Sequence, residues 1–270
     1  MTRLNPLHST LMPPTTVGSE LLRVATYNIH KGVRGVGRAK RLEIHNLGIA
    51  VESFDADIVF LQEVRLFHTR DASYFDSTHL GWPDKGQAEF LAPEGYDAAY
   101  RTNAVTRHGE HGNALLSRWP LGDIGHRDVS DHRFEQRGLL HVPVQWQGET
   151  VHAVVCHFGL AHRSRVRQAE QLSKFIATEV PRDEMLVVAG DFNDWGERLD
   201  IPMAEAGLRR ALPPRGTRAQ QATFPSLAPV FALDRFYVRG LVCKTMMVPR
   251  GMAWARMSDH LPLVAELEPG

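Results

Sequence analysis

The segment VVAGDFNDWG, residues 187–196, joins an apolar run to a cluster of acidic and amide side chains. The run predicts a buried strand, and Asp191, Asn193 and Asp194 mark its end. Such residues dominate turns because their side chains bond the nearby backbone. The cluster could therefore be a simple turn or a functional site, and this segment alone leaves both interpretations open.

The same strand pattern recurs along the chain and predicts the fold class. Several runs are apolar without interruption, which indicates strands covered on both faces, whereas HVPVQW (141–146) alternates, which indicates one covered face. The predicted strands are residues 21–29, 56–64, 112–119, 138–146, 150–158, 184–192, 232–240, 242–249 and 261–268.

Helical periodicity predicts fewer helices than strands. Residues 38–54 form a helix between the first two strands, and residues 85–92 form a shorter one. Residues 164–180 carry apolar side chains at helical spacing, with Ser164 as the expected N-cap. The pattern predicts an α/β fold in which two packed, mostly antiparallel sheets are flanked by helices.

Loops and linkers complete the predicted organisation. Residues 65–87 and 212–229 are expected to be long surface loops, the first at the rim of a site. No low-complexity linker divides the chain, so we predict one domain over residues 21–270 after a flexible leader of residues 1–20.

Composition narrows the possible function classes. The 31 basic and 31 acidic residues give no net charge, which argues against tight non-specific binding to nucleic acid, although a local basic patch stays possible. The two cysteines form no metal-binding pattern. No apolar run approaches the ~20 residues of a membrane span, and the first residues lack the apolar core of a signal peptide. We therefore expect a cytoplasmic protein, and no obligate protein partner is evident.

Polar side chains recur at the ends of the predicted strands. Each has a harmless explanation alone: Asn28 could cap a turn, and His157 could be a satisfied core histidine. Together they form a coherent set, because carboxylate and amide oxygens suit Mg²⁺ or Mn²⁺ and imidazoles can hold phosphate oxygens. The set predicts metal-assisted hydrolysis of a phosphate ester. Its members are Asn28, Glu63, Asn113, His157, Asp191, Asn193, Asp234, Asp259 and His260.

The order of these motifs resembles a known superfamily. ATYNIHKG, LQEV, GNALLSR, CHFGL, GDFND, ATFPS, LDRFYV and SDHLPLVAEL occur in the order typical of the endonuclease/exonuclease/phosphatase (DNase I-like) superfamily, over about residues 22–268. The resemblance implies a four-layer α/β sandwich and a hydrolase that cleaves a phosphoester by in-line attack of activated water.

The resemblance also implies the metal side of the site. Glu63 matches the glutamate that binds the catalytic Mg²⁺ or Mn²⁺, and Asn28 matches the asparagine beside it. Asp259 matches a second carboxylate on the metal side.

Five further residues match the catalytic side. Asp191 and Asn193 match the pair that positions or activates water, and His157 matches a histidine that bonds the scissile phosphate. His260 matches the essential histidine, and Asp234 its acidic partner, which would fix the tautomer of the imidazole. The choice between His260 and Asp191 as general base is left open.

Substrate-binding residues are harder to assign. Asn113 matches a lesser contact, and Arg163 and Arg167 follow His157 at the start of a helix, where they could grip a phosphate or head group. Equally, these arginines could lie on a solvated helix face. The segment IHKG departs from the sequence usual in abasic-site endonucleases, which favours a small or lipid-derived phosphoester as substrate.

Two alternatives remain. The first is a DNA or RNA endo- or exonuclease of the same fold. The second is a non-catalytic scaffold, which would be expected to have lost a metal-binding or proton-transfer residue.

Overall fold

The computed structural model describes residues 20–76, 80–132, 134–214 and 221–270, so most of the predicted leader and part of the predicted loop 212–229 lie outside the described residues. The strands are β1 (Leu22–Asn28), β2 (Val33–Arg34), β3 (Arg41–Leu42), β4 (Ile58–His68), β5 (Asp97–Thr106), β6 (Gly109–Ser117), β7 (Gly125–Asp128), β8 (Gly138–Trp146), β9 (Glu149–His157), β10 (Met185–Asp191), β11 (Arg209–Arg210), β12 (Asp234–Arg239), β13 (Leu241–Met247) and β14 (Leu263–Pro269). The helices are α1 (Ile44–Ser53), α2 (Thr69–Phe75), α3 (Gln87–Leu91), α4 (His162–Glu179), α5 (Asp200–Glu205) and α6 (Met252–Met257).

Two six-stranded sheets carry the fold. The first has the order β13–β14–β1–β4–β6–β5 and the second the order β11–β12–β10–β9–β8–β7, while β2 and β3 form a separate ribbon. Within the large sheets, β1 pairs with β4 and β9 with β10 in parallel, and the other pairs are antiparallel.

Successive side chains of a strand point to opposite faces of its sheet, and both faces are packed against buried apolar clusters. In β10, Val187 and Ala189 point into the cluster between the sheets, whereas Leu186 and Val188 join an outer cluster. Both faces of the strand are therefore buried, which explains its continuous apolar run.

Helices cover the outer faces of both sheets. α1, α3 and α6 contribute buried residues to the cluster outside the first sheet, and α4 and α5 do so outside the second. This order of helix, sheet, sheet and helix confirms the predicted α/β sandwich. No helix among the described residues is long and apolar enough to cross a membrane.

Some local predictions are wrong. Ser164 is not the N-cap of α4, because the helix begins at His162 after Ala161, and the Ser164 hydroxyl donates to Asp131 Oδ2 at 2.7 Å. The expected loop 65–87 contains the end of β4 and the whole of α2. The half-exposed strand β5 was not predicted, because its apolar side chains do not alternate regularly with polar ones.

Strand register brings the polar strand ends to one edge of the sandwich. His157 of β9 is paired with Asp191 of β10, and Asp191 is paired with Asp234 of β12. In the other sheet, Asn28 ends β1 beside Gln62 of β4, so Glu63 follows one position later.

Candidate active site

A hydrogen bond between the two sheets forms the centre of the candidate site. Asn28 Nδ2 donates to Asp191 Oδ2 at 3.1 Å, although these residues lie 163 positions apart. Both side chains are buried. The sandwich therefore brings the end of β1 against the end of β10, and Ser258 Oγ secures the first by donating to the Asn28 carbonyl at 2.7 Å.

Asp191 lies between two imidazoles. Its Oδ2 is 3.5 Å from His157 Nε2 and 3.6 Å from His260 Nε2. Its Oδ1 accepts from the main-chain N–H of Asn193 at 2.9 Å. Burial raises the pKa of this carboxyl to about 6, with Asp234 adding to the rise and His260 opposing it. A carboxyl whose pKa lies near neutrality is suited to exchange protons.

His260 and Asp234 form a buried pair behind Asp191. Asp234 Oδ2 accepts from His260 Nδ1 at 2.8 Å and from the Thr223 hydroxyl at 2.5 Å. Burial alone would lower the pKa of His260, but Asp234 and then Asp191 outweigh it and raise the pKa to about 10. The imidazole is therefore held as a cation that points Nε2 toward Asp191.

The turn that follows β10 is built around an ion pair. Arg235 Nη1 donates to Asp194 Oδ2 at 2.9 Å, and its Nη2 donates to the Asp194 carbonyl at 2.8 Å. The two side chains are only 1% and 0% exposed. Asp194 therefore has a structural role, whereas the Asp191 carboxylate contacts Asn28, His157 and His260. The turn interpretation therefore fits Asp194, and the functional interpretation of Asp191 and Asn193 stays a prediction.

Asn193 is held in a rare backbone conformation. Its φ is 49°, in the left-handed region, and its Nδ2 donates to the Phe158 carbonyl at 2.9 Å. The same carbonyl accepts from Arg137 Nε at 3.2 Å. Arg137 thus lies beside the residues that follow His157.

His157 is buried and kept neutral. Burial lowers the pKa of its imidazole well below the usual value, and Arg137 adds to this effect. A neutral imidazole keeps one nitrogen that can donate a hydrogen bond to a phosphate oxygen.

Glu63 occupies an irregular position in β4. The pairing of β4 with β6 shifts register between Leu61 and Val64, and Glu63 has a φ of 56°. Burial would raise the pKa of its carboxyl, but Lys31, whose Nζ is 2.7 Å from Oε2, holds the pKa well below its usual range. The carboxylate is therefore ionised and paired with a cation.

His30 lies between the two carboxylates that were predicted to bind the metal ion, Glu63 and Asp259. Its Nδ1 lies 3.2 Å from Asp259 Oδ1 and 4.0 Å from Glu63 Oε2. Burial would raise the pKa of Asp259, but the hydrogen bond from His30 and its charge lower the pKa to about 2. Neither His30 nor Lys31 was assigned a role from the sequence, although IHKG was the segment that departed from the expected motif.

The donor chemistry fits a hard divalent cation. Glu63, Asp259 and Asn28 offer carboxylate and amide oxygens, which are the ligands that such a cation prefers. These oxygens now accept contacts from the Lys31 ammonium, the His30 imidazole and the His30 main-chain N–H, so they already lie in positions that attract positive or donor groups. A second possible set is Asp191, Asp234 and His260, whose ligand atoms lie within 4.8 Å of one another. We favour the first set, because His260 is held as a cation and a protonated imidazole cannot bind a metal ion.

Three residues that were predicted to bind substrate make no described contact with the candidate site: Asn113, Arg163 and Arg167. Asn113 is fully buried, and its Nδ2 donates to the carbonyls of Gly138 at 2.9 Å and Val155 at 3.2 Å. Arg167 is bound to Asp131, and Arg163 is exposed on α4. None of the described contacts connects these side chains to Asp191 or Glu63.

The chain matches the model of the Endonuclease/Exonuclease/phosphatase family over residues 25–260. It is 37% identical over 252 residues to YbhP of Escherichia coli (strain K12), described as uncharacterized, covering 91% of this chain and 95% of that protein. It is 26% identical over 208 residues to Sphingomyelinase C of Leptospira interrogans, covering 67% of this chain and 35% of that protein.

A solved structure shares the fold. The endonuclease/exonuclease/phosphatase from Beutenbergia cavernae DSM 12333 superposes with a TM-score of 0.70 at 19% identity, covering 93% of this chain and 72% of that chain. The family match and the similarity to YbhP extend over most of the chain and confirm the resemblance seen in the motifs. The chain therefore belongs to the endonuclease/exonuclease/phosphatase family, whose members are hydrolases that act on phosphoesters.

Proposed function

We propose that the protein is a Mg²⁺- or Mn²⁺-dependent hydrolase that cleaves a phosphoester by in-line attack of water. The observation that carries this proposal is the contact of Asp191 with Asn28, His157 and His260, which joins side chains from both sheets around one buried carboxylate. A buried carboxylate whose pKa is raised toward neutrality beside two imidazoles is more typical of a catalytic site than of a scaffold.

Asp191 is the group we assign to accept the proton of the attacking water. Its pKa of about 6 keeps it ionised at neutral pH yet basic enough to take a proton. Asn193 keeps the carboxylate in place through its main-chain N–H.

His260 and His157 are assigned to the phosphate. Because His260 is held as a cation by Asp234, its Nε2–H can stabilise the charge that develops on phosphate oxygens. The neutral His157 can donate a second hydrogen bond.

Glu63, Asn28 and Asp259 are the residues that would hold the divalent cation. The cation would neutralise negative charge on the phosphate and on the leaving oxygen. The ionised state of Glu63 and Asp259 supports this assignment, because both carboxylates are ready to bind a cation.

The substrate class is tested with a panel of phosphoesters. Abasic DNA, RNA, phospholipids including sphingomyelin, inositol phosphates and chromogenic mono- and diesters would be incubated with Mg²⁺ or Mn²⁺. We expect hydrolysis of a small or lipid-derived phosphoester, and loss of that hydrolysis on Asp191→Ala or with chelator.

The panel also decides between the alternatives. Cleavage of DNA or RNA alone would show that the protein is a nuclease and not a hydrolase of small or lipid-derived phosphoesters. No metal-dependent hydrolysis of any member, in folded protein, would contradict the proposed function.

A further inference from the structure

Lys31 is fixed at its backbone, and its ammonium group pairs with Glu63. Its φ is 62°, and its carbonyl accepts from Gln87 Nε2 at 2.9 Å. The following Gly32 has a φ of 70°, and a Cβ there would meet Gln87 Nε2 at 2.6 Å. Gln87 itself is buried and also accepts from the Arg65 main-chain N–H at 2.9 Å. The turn therefore delivers the side chain of Lys31 to the site, while that side chain remains 29% exposed.

The ammonium of Lys31 forms an ion pair with Glu63, the carboxylate that we propose as a ligand of the divalent cation. The Nζ to Oε2 distance of 2.7 Å leaves no room for a second cation between the two atoms. A divalent cation on Glu63 would repel the ammonium, so we expect Lys31 to give up this contact when the cation binds. An ammonium without its carboxylate partner needs another anion nearby, because an unpaired charge at a partly buried position is unfavourable.

The phosphate of a substrate is the anion that the proposed function would bring to this site. Lys31 lies close enough to His157 to influence the pKa of its imidazole, after burial and the stronger effect of Arg137. Since His157 is the proposed phosphate contact, both Lys31 and Arg137 bring positive charge near that contact. They add positive charge beyond that of the metal.

We propose that Lys31 exchanges Glu63 for the substrate phosphate when a divalent cation binds, and thereby makes the site prefer phosphomonoesters over phosphodiesters. This proposal rests on the proposed function. A monoester carries a charge of about −1.5 to −2 near neutral pH, as phosphorylated side chains do, whereas a diester carries a single negative charge. An additional ammonium contact therefore stabilises the monoester more.

A matched pair of esters tests the preference. The kcat/KM values for 4-nitrophenyl phosphate and bis(4-nitrophenyl) phosphate would be measured with Mn²⁺ for the wild type, Lys31→Met and Lys31→Gln. We expect either substitution to lower the value for the monoester by about tenfold more than that for the diester. Equal losses for both esters would overturn the inference and leave the proposed function standing.

Lys244→Met is the matched control. Lys244 also forms a lysine–glutamate pair, with its Nζ 2.9 Å from Glu268 Oε1, but it lies on the edge strand β13. We expect this variant to keep the ester preference of the wild type.

A binding measurement separates the inference from catalysis. Mn²⁺ would be titrated calorimetrically into the metal-free protein, with and without inorganic phosphate. Because Lys31 competes for Glu63, we expect Lys31→Met to bind Mn²⁺ several-fold more tightly than the wild type in the absence of phosphate. Inorganic phosphate should tighten Mn²⁺ binding in the wild type and have little effect in the variant.

Three other results of the Mn²⁺ titration and the ester assays would contradict the inference, the proposed function or both. A variant that keeps the full effect of phosphate on Mn²⁺ binding would overturn the inference. A wild type that binds no Mn²⁺ would overturn both the inference and the proposed function. A wild type that shows the expected binding but hydrolyses neither ester nor any panel member would reject the proposed hydrolysis and the ester preference, and would retain only the exchange of Lys31 from Glu63 to phosphate.

Discussion

The pair of His260 and Asp234 shows how one buried carboxylate sets the charge of the site. Asp234→Asn would remove the charge that raises the pKa of His260 to about 10. We expect kcat to fall by about a hundredfold or more, because the imidazole loses its fixed charge and orientation. Rates measured beside Asp97→Asn, an exposed aspartate, give the control. A near-wild-type kcat for Asp234→Asn would contradict the assignment.

The same pair has a pH signature in stability. The folded-state pKa of about 10 lies above the ~6.5 of an unfolded histidine, so the pair contributes fully below about pH 6.5 and loses its contribution as the pH rises toward 10. Asp234→Asn should flatten this decline. The measurement is urea unfolding of both proteins with chelator across this range. An unchanged decline in the variant would show that another group causes it.

For single residues, the sequence identified those that belong to a continuous motif, but not those whose role depends on a contact with a distant segment. GDFN and SDH identified Asp191, Asn193 and His260 because each motif is continuous in the chain. Lys31 and Thr223 were not assigned roles, because their importance depends on approaching Glu63 and Asp234 from other elements. The catalytic roles themselves stay predictions until variants are measured.

Among the elements, β6 is joined to the second sheet by Asn113. Asn113→Ala would leave the carbonyls of Gly138 and Val155 without this donor. We expect a loss of about 2 kcal/mol in the free energy of unfolding with little change in KM. Asn46→Ala, which removes an amide bonded to nearby Glu43, is the control. A raised KM with unchanged stability would instead favour the predicted substrate contact.

Strands β8 and β9 carry a buried histidine pair, His141 and His152, outside the candidate active site. His141 Nε2 lies 2.8 Å from His152 Nδ1, and His152 contacts Glu184. Burial, and then His152, lower the pKa of His141 to about 4. Because the unfolded chain binds this proton at about pH 6.5, the unfolded state binds more protons between these pH values, so stability falls as the pH drops through them.

His141→Gln tests this effect while keeping a side chain that can donate to His152. We expect the variant to lose less stability than the wild type between about pH 7 and about pH 4.5, by up to about 3 kcal/mol. Urea unfolding at both pH values measures it. Parallel losses in the two proteins would show that His141 does not cause the acid sensitivity.

The elements were predicted where burial gives a strong pattern. β8 has the predicted bounds, and β1, β9 and β10 differ from theirs by one residue at each end, because their apolar runs are covered on both faces or alternate clearly. β5 was missed because its side chains are half exposed. Ser164 resembled a cap in sequence, yet its hydroxyl bonds Asp131 from a distant loop.

For the whole molecule, two stacked sheets place residues from both halves of the chain around one carboxylate. The order of motifs predicted this convergence through the family resemblance, while the pairing of Asn28 with Asp191 became visible only in the structure. The cytoplasmic location and the extent of the domain stay predictions.

Combining Glu63→Gln with His260→Asn tests most directly whether these distant residues serve one metal-dependent site. On the phosphoester that the wild type hydrolyses, we predict that each single variant loses about a hundredfold or more in kcat/KM. The double variant should be within about tenfold of the slower single one, because residues that act as a unit are not additive. Glu170→Gln, on the exposed face of α4, should keep the wild-type rate. Losses that multiply in the double variant, or single variants that keep near-wild-type rates, would contradict a shared site.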